Sequence, residues 1–280
     1  LKSKNKLNSH LIKNLEILGV PQNLNNTIYP FKYNDFDRLK FIIENKNIGV
    51  ICMEVMRNEE PKNNFLKKIR NLATKKGIVL IFDECTSGFR KNFGGLHKLY
   101  GVNPDIAIFG KALGNGYAIN AVIGKKDIME NAQKTFISST FWTERTGFVA
   151  ALKTLELMEK EKSWKKISKL GKEIKEKWIE LSKKYQIKIQ VLGLDAIPVF
   201  IIQSKRWLQY KTFITNELLN NNILGSNVIY LSTCHNKIII KRYFEILDKI
   251  FKEIANFEKN KNLEKIQKLK ICHSGFKRLN

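Results

Sequence analysis

Proline is scarce, with 5 in 280 residues, and cysteine is scarcer, with 4. The cysteines stand alone at Cys52, Cys85, Cys234 and Cys272, with no C-x-x-C pair and no histidine at ligand spacing. That excludes a disulfide framework and argues against any metal site, so reduced thiols of the cytosol are expected. No run approaches the roughly 18–20 apolar residues needed to span a bilayer. Leu1 to Ser9 are polar and lysine-rich with no apolar stretch behind them, so the expectation is a cytoplasmic protein with no secretory leader and no membrane partner. Collagen-like and coiled-coil repeats are absent. Acidic residues are also short: 26 Asp and Glu face 50 Lys and Arg, a net charge of +24.

What is present is the composition of a folded chain. Hydrophobic residues make up 43% and aromatics 10%, which excludes intrinsic disorder. The length suits about two domains of roughly 150 residues each. The positive charge raises the question of a polyanion partner. Yet lysine is spread along most of the chain and greatly outnumbers arginine, and the aromatics fall on apolar faces. The densest stretch, Lys160 to Lys184, carries Trp164, Ile167, Leu170, Ile174, Trp178 and Leu181 at three- and four-residue steps, as one amphipathic helix with a solvated lysine face. No specific nucleic-acid partner is expected.

Three β-branched runs, Ile48 to Val55, Ile78 to Phe82 and Asp105 to Phe109, read as buried strands of a parallel sheet. Pro61 to Lys76, with Phe65, Leu66, Ile69, Leu72 and Ala73 at helical spacing, connects the first two as a β-α-β unit. Ala121 to Gly124 is a further short strand, and Phe148 to Glu161 a helix burying Ala150 and Ala151. Beyond Tyr185, strands at 187–192, 197–202 and 228–232 alternate with helices near 212–220 and 237–258, as in a smaller α+β unit. The expected organisation is α/β, with a sheet domain over 1–160, an α+β domain over 161–258 and a peripheral basic tail over 259–280.

Ligands of open α/β sheets bind beyond the carboxyl ends of the strands. Asp83 and Glu84 follow one such end, and Gly110-Lys111 follows another. A carboxylate and a lysine therefore share one rim, which on strand geometry alone is also what a structural salt bridge beside a Gly-rich turn looks like. Neither a P-loop nor a G-x-G-x-x-G fingerprint is present. His235 after a strand reads as structural, and neither His10 nor His97 shows a partner pattern.

The segments Ile81-Phe-Asp-Glu-Cys-Thr-Ser-Gly-Phe-Arg90, Gly101-Val-Asn-Pro-Asp-Ile-Ala-Ile-Phe-Gly-Lys-Ala-Leu-Gly-Asn-Gly-Tyr117 and Ala121-Val-Ile-Gly124 occur together, in order. This combination resembles the class III pyridoxal-phosphate aminotransferases, nearest the glutamate-1-semialdehyde 2,1-aminomutase branch. The resemblance covers roughly residues 48–162 and continues more weakly through Val228 to His235. It implies a fold-type-I architecture, a homodimer, and amino-group transfer between a small amine and a carbonyl compound with pyridoxal 5′-phosphate as cofactor. Lys111 is implied as the amine that forms the Schiff base and later moves a proton. Asp83 is implied as partner of the pyridinium nitrogen. Cys85 stands where the family has Val against the ring, and Thr86 where it has Gln or Met near the phenolic oxygen. Thr140, in Ser139-Thr-Phe-Trp-Thr-Glu-Arg145, aligns with a threonine that reaches the cofactor phosphate of the neighbouring subunit. Thr143-Glu144-Arg145 replaces the usual Gly-Asn-Pro. Met53 to Pro61 resembles the family's E-P-V segment, with Val55 for Pro and Glu54 either shaping the substrate side or acting structurally.

The family carries a phosphate-gripping small-residue loop and a ring-stacking aromatic upstream of the part matched here, and nothing before Ile48 has that pattern. With Leu1 in place of a methionine, a fragment with an open sheet edge is the expectation. The competing reading is an inactive remnant or a basic polyanion-binding module, whose affinity would fall steeply with salt.

Overall fold

The computed structural model describes residues 21–24, 26–141 and 143–272. Helix α1 (Phe36–Asn45) opens on Asp35, whose carboxylate accepts the Arg38 N–H at 3.0 Å. Strand β1 (Val50–Glu54) follows, then α2 (Phe65–Lys76) and β2 (Val79–Asp83). Gly77 ends α2 in the left-handed region at φ +64°, which glycine adopts without strain, so that the chain reverses directly into β2. Strand β3 (Ile106–Phe109) and strand β4 (Ala121–Gly124) complete a sheet of order β1-β2-β3-β4.

The first three strands are parallel, and β4 runs antiparallel to β3. The strands were expected to be buried on both faces, but β1 and β2 alternate. Ile51, Met53, Leu80 and Phe82 pack under α1 and α2, whereas Val50 and Cys52 are exposed. Among the described residues these helices cover one face of the sheet, and β4 leaves Val122 and Ile123 exposed at its edge.

After the short helix α3 (Lys126–Met129) come α4 (Thr146–Glu161) and α5 (Ser163–Lys184). The lysine-rich stretch is therefore broken at its start, with Lys162 in the left-handed region at φ +51°. The break follows from two separate cores. Ala151 of α4 packs with Phe109 and Leu113 beside the sheet, whereas Ile174 and Trp178 of α5 enter a second core. Strands β5 (Ile189–Leu192) and β6 (Val199–Ile202) form an antiparallel pair in that second core, followed by α6 (Trp207–Asn220) and α7 (Lys237–Glu258).

The run 228–232, read above as a strand, makes a single bridge, Val228 to Val199. Pro198 opposite it has no N–H to return to Ile229, so the ladder stays incomplete. Helix α8 (Glu264–Gln267) buries Ile266 in the second core, so the basic segment is packed at least this far.

Gly171 lies inside α5, where a Cβ would overlap the carbonyl oxygen of Asp195 and come within 3.0 Å of Leu231 Cδ1. Helix propensity alone favours alanine here by roughly 1 kcal/mol, but overpacking costs about 1–3 kcal/mol. Gly171→Ala should therefore lower the thermal midpoint, and a rise would show that the contact is soft.

Candidate active site

Adjacent strands place two carboxylates side by side, because Glu54 and Asp83 are register partners at the carboxyl ends of β1 and β2. The third strand delivers a lysine to the same rim. After Phe109 the chain passes Gly110, where a Cβ would overlap Asn120 Oδ1 and lie 3.3 Å from Cys85 Sγ, so a larger residue would have to push the Asn120 side chain aside. Lys111 then takes φ +44°, a left-handed conformation that costs a non-glycine residue roughly 1–3 kcal/mol and gathers at functional sites. Its Nζ donates to Thr86 Oγ1 at 2.9 Å.

Lys111 makes no ion pair with Asp83, so the simple salt-bridge reading of the rim does not hold. Asp83 Oδ1 instead accepts the Cys85 N–H at 2.9 Å. Burial pushes the Cys85 thiol up, as does the adjacent Asp83, which keeps it a neutral apolar contact. The Cys52 thiol, although its residue is exposed, is raised by partial desolvation and then by Asp83. Glu54 is also raised, chiefly by burial; Arg57 at 3.5 Å opposes this, Asp83 adds to it and Lys111 opposes it again. Glu54, Asp83 and Lys111 thus form one electrostatic group.

A cavity of about 560 Å³ opens beside Lys111, within the usual range for small-molecule sites. Its walls are the turn Gly114–Tyr117, α4 around Lys153 and Thr154, and the segment Tyr230–Thr233. Sheet rim and second core therefore both contribute to it.

Glu84, next to Asp83 in the chain, faces away from the rim and is fully buried. Burial by itself would raise its carboxyl, but the His97 ring at 2.8 Å, the Ser87 hydroxyl and the His97 N–H at 2.9 Å hold it below the ordinary range. The absence of a partner pattern for His97 is thus corrected: its partner lies thirteen residues upstream, a distance no local spacing reveals. This trio braces the loop that carries Cys85 and Thr86. His235 is structural, its Nδ1 accepting the Ser232 N–H at 3.1 Å; His10 lies outside the described residues.

At this rim Lys111 meets Thr86 and Asp83 meets the Cys85 N–H, and of the four only Lys111 lines the cavity. Thr140 is exposed in the segment before α4 and does not line the cavity. Two features escaped the sequence reading: the left-handed Lys111, and Arg90, which is half-buried and shares Thr86 with Lys111. The one available signal for Arg90 was an arginine in a chain dominated by lysine.

Among the described residues no helix is long and apolar enough to cross a membrane. In solved structures the same fold recurs in an omega-transaminase from Sphaerobacter thermophilus, with a TM-score of 0.75 and 21% identity over 85% of this chain and 60% of that one. It recurs also in a transaminase with PLP bound, with a TM-score of 0.77 and 18% identity over 89% and 62%. Among curated proteins, a 3-aminobutyryl-CoA aminotransferase of Cloacimonas acidaminovorans is 36% identical over 73% of this chain and 52% of its own length. A glutamate-1-semialdehyde 2,1-aminomutase of Methanosphaera stadtmanae is 31% identical over 72% and 50%. The chain thus spans about half the length of these curated relatives. The family model described as Aminotransferase class-III matches residues 41–270, a span that includes β1 to β4, the Lys111 rim and the second core. With a rim lysine, its paired carboxylates and this match over most of its length, the chain belongs to the class-III aminotransferase family.

Proposed function

We propose that the chain takes part in pyridoxal-5′-phosphate-dependent transfer of an amino group between a small amine and a carbonyl compound, as an aminotransferase or aminomutase. The observation that carries this is Lys111, a strained rim lysine whose amine meets a neutral hydroxyl rather than a carboxylate, beside Asp83 and at the wall of a ligand-sized cavity.

The donor set fits the cofactor. An amine answers an aldehyde, a carboxylate answers a pyridinium nitrogen, and a hydroxyl answers a phenolic oxygen. Pyridoxal phosphate, when bound, supplies an aldehyde that exchanges amino groups and a ring that takes up the electrons released at the substrate carbon. Lys111 would hold it through Nζ and, once free, would take and return the proton at the substrate carbon. Asp83 would keep the ring nitrogen protonated, its own Oδ1 fixed by the Cys85 N–H. Cys85 would pack on the ring as a small neutral group. Thr86 would orient the Lys111 amine through its hydroxyl.

A homodimer belongs to this reading, with Thr140 binding the cofactor phosphate of the neighbouring subunit. Exposed Phe136, Phe141, Phe148 and Leu152 around that segment support a covering partner. Four free cysteines support a reducing, cytoplasmic setting.

Borohydride reduction after incubation with pyridoxal phosphate, followed by peptide mass analysis, tests the assignment. The label should concentrate on the peptide holding Lys111. In Lys111→Ala it should fall to the background of the surface lysines, and in Asp83→Asn it should drop without moving elsewhere. Labelling spread evenly over the lysines of the unaltered chain would overturn the cofactor assignment.

A further inference from the structure

The guanidinium of Arg90 is held by the same residue as the reacting amine. Thr86 accepts Lys111 Nζ on its hydroxyl and Arg90 Nε on its carbonyl, each at 2.9 Å. One small residue therefore fixes both cations, and both line the cavity of about 560 Å³. Arg90 lies with Cζ 5.7 Å from the Tyr230 ring centroid, packed on that ring. Its Nη groups have no carboxylate partner among the described residues, where the salt bridges run elsewhere.

The other charged groups on the cavity wall are already matched. Lys153 pairs with Glu156 at 2.8 Å, and Glu161 pairs with Lys166 at 3.2 Å. A half-buried guanidinium with one of its N–H groups bonded among the described residues is an unfilled requirement, since charges withdrawn from water are ordinarily paired. Burial draws the Arg90 guanidinium below its ordinary range, which a bound anion would reverse.

We infer that Arg90 receives the carboxylate of the substrate, so that the compound whose carbon meets Lys111 is an amino or oxo acid rather than a neutral amine. This rests on the reading of Lys111 as the reacting amine. Arginine suits the task because its planar fork binds a carboxylate through two parallel N–H bonds, which a lysine cannot copy.

The test needs no cofactor. In the full chain, succinic semialdehyde and butanal are offered in turn with borohydride. Lys111 Nζ attacks the aldehyde carbon, water leaves, and borohydride delivers hydride to the resulting imine, giving a stable secondary amine that peptide mass analysis counts. The carboxylate-bearing aldehyde should label Lys111 about tenfold faster than butanal, the value of one good charge-assisted pair at 1.4 kcal/mol per decade. Arg90→Gln should bring labelling by succinic semialdehyde down to the rate of butanal in the same variant, while Arg90→Lys keeps part of the preference. The other lysines in the same digest report the general pull of a +24 chain on anions. A preference at Lys111 no greater than theirs overturns the inference, and so does one that survives Arg90→Gln. Faster labelling by glycolaldehyde phosphate than by succinic semialdehyde would replace carboxylate by phosphate and overturn it as well. Loss of butanal labelling in Arg90→Gln would show a merely structural role. Pyridoxal phosphate labelling of Lys111, measured separately, keeps a failure here distinct from a failure of the cofactor assignment.

Discussion

Asp105→Ala should destabilise the sheet by about 3–5 kcal/mol, the range for stripping one partner from a buried ion pair. The residue is 5% exposed, and its side chain ties three elements at once. Oδ2 accepts the Leu80 N–H at 2.7 Å and Arg70 Nη1 at 2.8 Å, and Oδ1 meets Lys125 Nζ at 2.8 Å. The Leu80 N–H belongs to β2, Arg70 to α2, and Lys125 follows β4. Alanine leaves a buried N–H and a largely buried guanidinium without partners, whereas Asp105→Asn keeps an acceptor and should cost less, about 1–3 kcal/mol.

The pH dependence fixes the sign. Burial would raise the Asp105 carboxyl, but the Leu80 N–H, Lys125 and Arg70 together hold it below the ordinary range. A depressed carboxyl contributes stability that is present above its unfolded value of about 3.9 and is lost as pH falls through the folded value. The gap between the parent and Asp105→Asn in urea midpoint should therefore be widest near neutrality and narrow on acidification. A gap that stays constant down to about pH 3 would mean that the charge contributes nothing.

How much of this was legible in the sequence depended on the range of the interaction. The three parallel strands, the helix after Asn64 and the long helix from Lys237 follow from periodicities of two and 3.6, and these survive because each element packs one regular face. The rim residues were legible because strand ends place side chains by position: Asp83 ends β2 and Lys111 follows β3. What stayed hidden joins residues far apart in the chain or depends on backbone hand. Nothing local shows that β4 turns back antiparallel, that Lys162 breaks the helix to serve two cores, or that Lys111 sits at φ +44°. Glu84 looked like a second rim carboxylate because it adjoins Asp83. Alternation sends it to the opposite face, where His97 and Ser87 bind it. Arg90 shows no local pattern, because what marks it is the lack of a carboxylate partner among the described residues.

Trp178→Ala should cost about 3–5 kcal/mol, and the loss should be confined to the second core. The indole is fully buried, with its ring centroid 4.8 Å from that of Phe200, and Phe200 in turn packs on Phe251 at 5.9 Å. Its Nε1 donates to the Tyr243 hydroxyl at 3.1 Å, so one side chain links α5, β6 and α7. Trp178→Phe keeps most of the ring but strands the Tyr243 oxygen, for about 1–3 kcal/mol. Adding Tyr243→Phe should recover part of that cost, because the two groups are coupled. None of these residues belongs to the core under α1 and α2, where Ile51, Leu80 and Phe82 support the strands that end at Asp83 and Glu54. Hydrogen exchange in Trp178→Ala should therefore accelerate across α5, β6 and α7 while the amides of β1 to β3 stay protected. Pyridoxal phosphate should still label Lys111, because Asp83, Thr86 and Lys111 are held by the sheet. The preference for succinic semialdehyde over butanal should weaken, because Tyr230, on which Arg90 packs, follows the bridge that joins Val228 to β6. Equal acceleration of exchange across both cores would show that they unfold as one unit, and that the cavity is held by the whole chain rather than assembled from two halves.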